Sequence, residues 1–155
     1  MTEIDNSNAV VRPPLAWALA FIVALGLDRL YPLPFVPAFL PARWLGVIVF
    51  AVAFGFAGWA IATIRISGTA VETVNPTTMI VTYGPYEYSR NPIYLGMVVG
   101  QIGLAIGLNS LWMIATLIPF YFVLRYGVIA REEAYLERKF GRDYLDYKSR
   151  VRRWL

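Results

Sequence analysis

The sequence predicts an all-α, polytopic membrane protein with about four transmembrane helices followed by cytoplasmic C-terminal helices. Three observations carry that reading. Hydrophobic residues fill 58% of the 155 positions and charged residues only 15%, against about 25% charged in soluble domains. Residues 44–64 run without a charge and are closed by Arg65, which meets the requirement of about 20 apolar residues for a bilayer core. Once the spans are drawn, Lys and Arg fall overwhelmingly on one side of the membrane.

Taken in order, residues 1–8 are polar and read as disordered. A first span covers residues 14–28, ending at Asp28-Arg29. It lacks the basic leader and clear cleavage site of a signal peptide and passes into the Pro-rich segment 31–41. The second span is 44–65, and residues 67–91 form a polar connector. The following apolar block reaches Leu124 and would extend roughly 50 Å as one helix, more than a ~30 Å hydrocarbon core. Asn109-Ser110 near its middle suits a tight reversal, so two antiparallel spans, 92–108 and 111–129, are expected. Pro119 should kink the second, because it lacks an N–H and its ring clashes with the carbonyl of Ala115.

This layout puts 12 of the 14 Lys/Arg on the side of both termini and the connector, with only Arg29 and Arg43 opposite. The positive-inside rule makes that side cytoplasmic, placing the chain in the cytoplasmic (inner) membrane with both termini inside. From Arg125 onward there are nine Lys/Arg against five Asp/Glu, a basic excess suited to anionic lipid rather than nucleic acid. After Gly141, the recurrence of Tyr144, Tyr147, Val151 and Leu155 reads as an amphipathic helix lying on the membrane surface. Two small-residue stripes, Ala51/Gly55/Gly58/Ala62 and Gly96/Gly100/Gly103/Gly107, each hold one helix face and suit close helix packing.

The chain has no Cys and no His, which excludes disulfides, thiolate or imidazole metal sites, and His or Cys nucleophiles. No glycine-rich dinucleotide fingerprint or phosphate loop occurs. Polar groups concentrate in two places. The connector offers Tyr86, Arg90, Asn91 and Tyr94, with Gly84-Pro85 as a turn and Pro92 opening the next helix. The exit of the last span offers Arg125, Arg131, Glu132 and Glu133. Glu132 and Glu133 stand 100° apart on a helix, so one at most should enter any given pocket. Aromatic rings, an arginine or amide and one carboxylate suit a zwitterionic, adenine-bearing ligand such as S-adenosylmethionine.

The stretch Pro76-Thr-Thr-x-x-Val-Thr-x-Gly-Pro-Tyr-x-x-Ser-Arg-Asn-Pro-x-Tyr-Leu-Gly96 resembles the signature of the isoprenylcysteine carboxyl methyltransferase and phospholipid methyltransferase group of membrane enzymes. Glu132-Glu-x-x-Leu-x-x-x-Phe-Gly-x-x-Tyr-x-x-Tyr-x-x-x-Val151 is similar to that group's C-terminal signature. The resemblance implies an S-adenosylmethionine pocket at the cytoplasmic face, built from regions 76–96 and 125–155. Its expected residues are Thr78, Met79, Ile80, Val81, Tyr86, Arg90, Asn91, Pro92, Ile93, Tyr94 and Glu132. The implied reaction is methyl transfer to a lipophilic acceptor taken from the bilayer. Arg125 is expected to meet the acceptor's polar head, and Glu133 to take a proton where the acceptor is an amine. Two positions depart from the prenylcysteine enzymes: Asn91 stands for a histidine, and Val128 for a substrate-binding arginine. The alternatives are an NADPH-dependent reductase of the sterol-reductase type, which shares an Arg-His-Pro-x-Tyr element, and a non-catalytic lipid-binding membrane protein.

Overall fold

The computed structural model describes residues 10–69 and 76–155; the expected disordered stretch 1–8 lies outside them. Four apolar helices follow in order: α1 (Pro13–Leu30), α2 (Ala42–Ile66), α3 (Pro92–Leu108) and α4 (Leu111–Phe122). A π-helical segment, Val123–Ile129, carries α4 without a break into α5 (Ala130–Phe140), and α6 (Arg142–Arg150) follows a turn at Gly141. The described residues contain no strand. Three helical stretches are long and apolar enough to cross a membrane: Pro13–Leu30, Ala42–Ile66 and Leu111–Phe140. At 17 residues, α3 is about 25 Å long by the 1.5 Å rise per residue, short of a full core.

Turn residues set the helix ends. Pro92 occupies the first position of α3, where its missing N–H costs nothing. Asn109 ends α3 in the left-handed region, at φ 50°, a conformation its short polar side chain tolerates. Its Oδ1 accepts the backbone N–H groups of Phe35 and Val36 at 2.8 and 2.7 Å. The reversal therefore also anchors the Pro-rich loop. Gly84 takes φ +64° and opens a single 3₁₀ turn, Gly84–Glu87.

The most extensive packing is between α2 and α3, which run antiparallel. A Cβ on Gly103 would lie 2.7 Å from the Phe50 backbone nitrogen, and one on Gly96 would lie 2.7 Å from the Ala53 carbonyl. A Cβ on Gly46 would collide with the Gly107 backbone. The α3 stripe thus does what its glycines suggest. The α2 stripe does not: Gly55 and Gly58 face open space, and the face meeting α3 is Gly46, Ala53 and Ala57. Gly46→Val is expected to lose about 1–3 kcal/mol, read as a lower melting temperature in detergent, because backbone cannot rotate out of the way. Gly55→Val should melt like the parent. Equal melting of both variants would contradict this interface.

On its other side α3 meets α4, against which α1 also packs. Gln101 of α3, fully buried, donates to the Met113 carbonyl at 3.0 Å and to Thr116 Oγ1 at 3.2 Å. Phe120, Leu124, Val128 and Ile129 form a buried cluster against which Trp17, Tyr94, Met97 and Trp154 pack. Downstream of Pro119 the helix switches to π geometry, whose wider register leaves carbonyls available. One of them, Gly127 O, accepts the Val10 N–H at 3.1 Å.

The C-terminal amphipathic helix is shorter than expected, and its two tyrosines are turned inward. It ends at Arg150, Val151 is extended (φ −116°, ψ 130°), and Tyr144 and Tyr147 are buried. The reason lies in long-range hydrogen bonds to the connector, described next.

Candidate functional site

Both motif blocks line one pocket. The connector supplies Thr69, Thr77, Met79, Ile80, Val81, Tyr86, Arg90 and Asn91, and the first turn of α3 supplies Pro92, Ile93 and Tyr94; α5 and α6 supply Glu132, Glu133, Tyr135, Leu136, Tyr144 and Tyr147; Ile64 closes it from the end of α2. Ten of the eleven expected cofactor-site residues therefore meet at one cavity. Thr78 is the exception. Its backbone N–H donates to Thr69 Oγ1 at 2.9 Å and its hydroxyl to the Gly68 carbonyl. Arg125 is also outside the lining. It donates to Tyr121 Oη at 3.1 Å and lies over the Tyr126 ring, 5.5 Å from its centre.

Both glutamates line the pocket, against the expectation that one at most would. Successive positions of α5 meet different partners: Glu132 the Tyr94 hydroxyl of α3, and Glu133 the guanidinium groups of Arg90 and Arg153. Tyr94 Oη donates to Glu132 Oε1 at 2.7 Å, and among the described residues no cation pairs with this carboxylate. Glu133 is held by two. Arg90 Nη1 lies 3.2 Å from its Oε1, while Arg153 donates from Nε to Oε1 at 3.0 Å and from Nη2 to Oε2 at 2.6 Å. Such a planar fork is the arginine geometry that fits a carboxylate best.

Asn91 donates from Nδ2 to the Arg153 carbonyl at 3.0 Å, so its amide holds the chain tail. Tyr147 Oη donates to the Tyr86 carbonyl at 2.8 Å, pinning α6 to the 3₁₀ turn. Burial, and next Glu133, pushes the Tyr144 phenol up to about 12. Burial likewise raises Tyr147 and Tyr86 well above the ordinary phenol range. These three hydroxyls are therefore neutral near pH 7; that of Tyr147 donates to the Tyr86 carbonyl, and that of Tyr144 accepts from Arg90 Nη1 at 3.5 Å. Arg90 Nε is buried with no hydrogen-bond partner among the described residues.

Sequence reasoning missed Thr77, Tyr135, Tyr144, Tyr147 and Arg153 as parts or supports of the site. Tyr144 and Tyr147 stood in the quoted C-terminal block, but their spacing read as a membrane-facing stripe. Arg153 carried no signal beyond its charge.

A 47-residue stretch is 53% identical to an uncharacterized protein of Haemophilus influenzae, covering 30% of this chain and 73% of that protein. The nickel-cobalt-cadmium resistance protein NccN of Alcaligenes xylosoxydans xylosoxydans is 27% identical over 125 residues, with 69% of this chain and 58% of NccN covered. The chain thus spans little more than half the length of NccN. No solved structure matches. The family comparison is broader: residues 41–143 match phospholipid methyltransferase, a range that takes in α2, α3, α4, α5, the whole connector and the start of α6. With both signature blocks folded into one pocket on a set of membrane-length helices, the chain belongs to the phospholipid methyltransferase family and is a membrane methyltransferase.

Proposed function

We propose that this enzyme transfers the methyl group of S-adenosylmethionine to a lipophilic acceptor at the cytoplasmic face of the membrane. The observation that carries the reading is the meeting of two motif blocks, some 40 residues apart, around the Tyr94–Glu132 pair. The lining suits this cofactor in kind. Met79, Ile80, Val81 and Tyr86 offer apolar and aromatic walls for an adenine. Glu132, with which no cation pairs among the described residues, suits an amino or ribose group, and Arg90, which lines the cavity, suits a carboxylate.

When bound, S-adenosylmethionine supplies an electrophilic methyl group on a positively charged sulfur. The protein's own part is alignment and exclusion of water. Tyr94 fixes the Glu132 carboxylate, Tyr147 fixes the Gly84–Glu87 turn, and Asn91 secures the loop. Glu133, already shared by two guanidinium groups, is better suited to holding the wall than to accepting a proton. An acceptor that arrives as a carboxylate or thiolate needs no base. The positive-inside arrangement supports cytoplasmic placement of the pocket.

Arg125 supports a separate acceptor subsite, since it stands outside the pocket beside Tyr121 and Tyr126. Arg125→Leu should raise the acceptor KM about tenfold, the value of one charge-assisted hydrogen bond, and leave cofactor affinity near that of the parent. Weakened cofactor binding with normal acceptor saturation would move Arg125 into the cofactor site.

A further inference from the structure

Beyond α6 the chain turns back across the connector. The Arg152 carbonyl accepts the Arg90 backbone N–H at 3.0 Å. The Arg153 carbonyl accepts both Ser89 Oγ, at 3.3 Å, and Asn91 Nδ2, at 3.0 Å. Three successive residues of the Ser89-Arg90-Asn91 motif are thereby spent on two successive tail carbonyls. The Arg153 side chain forks onto Glu133. The next residue, Trp154, stacks on Tyr121 with centroids 5.6 Å apart and packs against the Phe120, Leu124, Val128 and Ile129 cluster. The tail is therefore fixed at three kinds of contact: backbone to loop, guanidinium to carboxylate, and indole to the helix cluster.

We propose that residues 151–154 form a strap that sets the polar wall of the pocket, with Arg153 as its positioning residue. Arg153 is not among the residues lining the cavity, so it acts through Glu133 and the Ser89–Asn91 loop. The loop places Arg90 and opens α3 one turn before Tyr94, so a loosened strap displaces the groups around Glu132 as well. Two parallel N–H···O bonds fix a carboxylate in orientation, which a lysine with one ammonium cannot reproduce. Trp154 supplies the apolar dock that holds the strap in place. In its effect on cofactor binding, the inference rests on the methyltransferase reading above.

Two measurements on the full chain in detergent test it. The peptide bonds after Arg152 and Arg153 are trypsin sites whose carbonyls the loop holds, so native trypsin should cut there slowly in the parent. Glu133→Gln and Trp154→Ala should accelerate cleavage after Arg152 at least tenfold, on the scale of a lost charge-assisted hydrogen bond. In parallel, Arg153→Gln should weaken binding of labelled S-adenosylmethionine by about tenfold or more, with Arg153→Lys falling between it and the parent. A purely structural tail would not show that graded rescue in a variant that elutes and melts like the parent. Tail cleavage equally fast in parent and Glu133→Gln overturns the strap, as does parental cofactor affinity in Arg153→Gln. Should the parent bind no cofactor at all, the methyltransferase reading falls, and the ratio of cleavage rates alone decides the strap.

Discussion

Glu133→Ala is expected to cost the folded protein about 3–5 kcal/mol, the penalty for breaking a buried ion pair from one side. The side chains of Glu133 and Arg90 are each 8% exposed. The substitution would leave the Arg90 guanidinium charged, enclosed and short of acceptors, with its Nε already unpartnered. Arg153, with 30% of its side chain exposed, can turn to water at smaller cost. Thermal melting in detergent without ligand reads the loss. The double replacement Arg90→Met with Glu133→Leu should recover most of it, because removing both charges also removes their desolvation penalty. A Glu133→Ala protein that melts like the parent would contradict a buried, two-arginine clamp on this carboxylate.

Glu132→Ala should behave differently. Its only partner among the described residues is Tyr94, a neutral hydroxyl that can turn toward the pocket, so the expected loss of stability is smaller than for Glu133. The expected loss of cofactor affinity is larger, about 10- to 100-fold, from one charge-assisted hydrogen bond of about 1.5–3 kcal/mol. Tyr94→Phe removes the hydroxyl that orients the carboxylate and should cost less than Glu132→Ala. Isothermal calorimetry with S-adenosylmethionine separates the two. Unchanged affinity in Glu132→Ala would take this residue out of the cofactor site.

What could be read from the chain follows the range of the forces involved. Helix positions were legible because hydropathy and charge act over whole segments: α2 extends the expected span only from residues 44–65 to Ala42–Ile66. Turn chemistry was legible at Gly84, Pro92 and Asn109, where one residue type dictates the local backbone. The packing face of α2 was not. An almost wholly apolar helix has no polar side to set its orientation, and small residues occur on both candidate faces. The stripe through Gly55 and Gly58 lies away from α3, which meets Ala53 and Ala57 instead. The π segment had no sequence mark. The tail misled most, since the spacing of Tyr144, Tyr147, Val151 and Leu155 promised a helix through residue 155. That local period ends where partners more than 60 residues away claim the Arg152 and Arg153 carbonyls. The pocket itself was legible from its motifs, whereas the assignment of Glu133 to two guanidinium groups depended on that same tail.

The central claim, that the two motif blocks form a site for methyl transfer to a lipid-soluble acceptor, is tested most directly with methyl-labelled S-adenosylmethionine. Membranes carrying the overproduced chain would be incubated with it and extracted into organic solvent beside membranes carrying Glu132→Ala. Label should enter the organic phase with the parent chain and fall by at least tenfold with the variant at subsaturating cofactor. Label no higher than in control membranes, or equal label with parent and variant, would contradict the account.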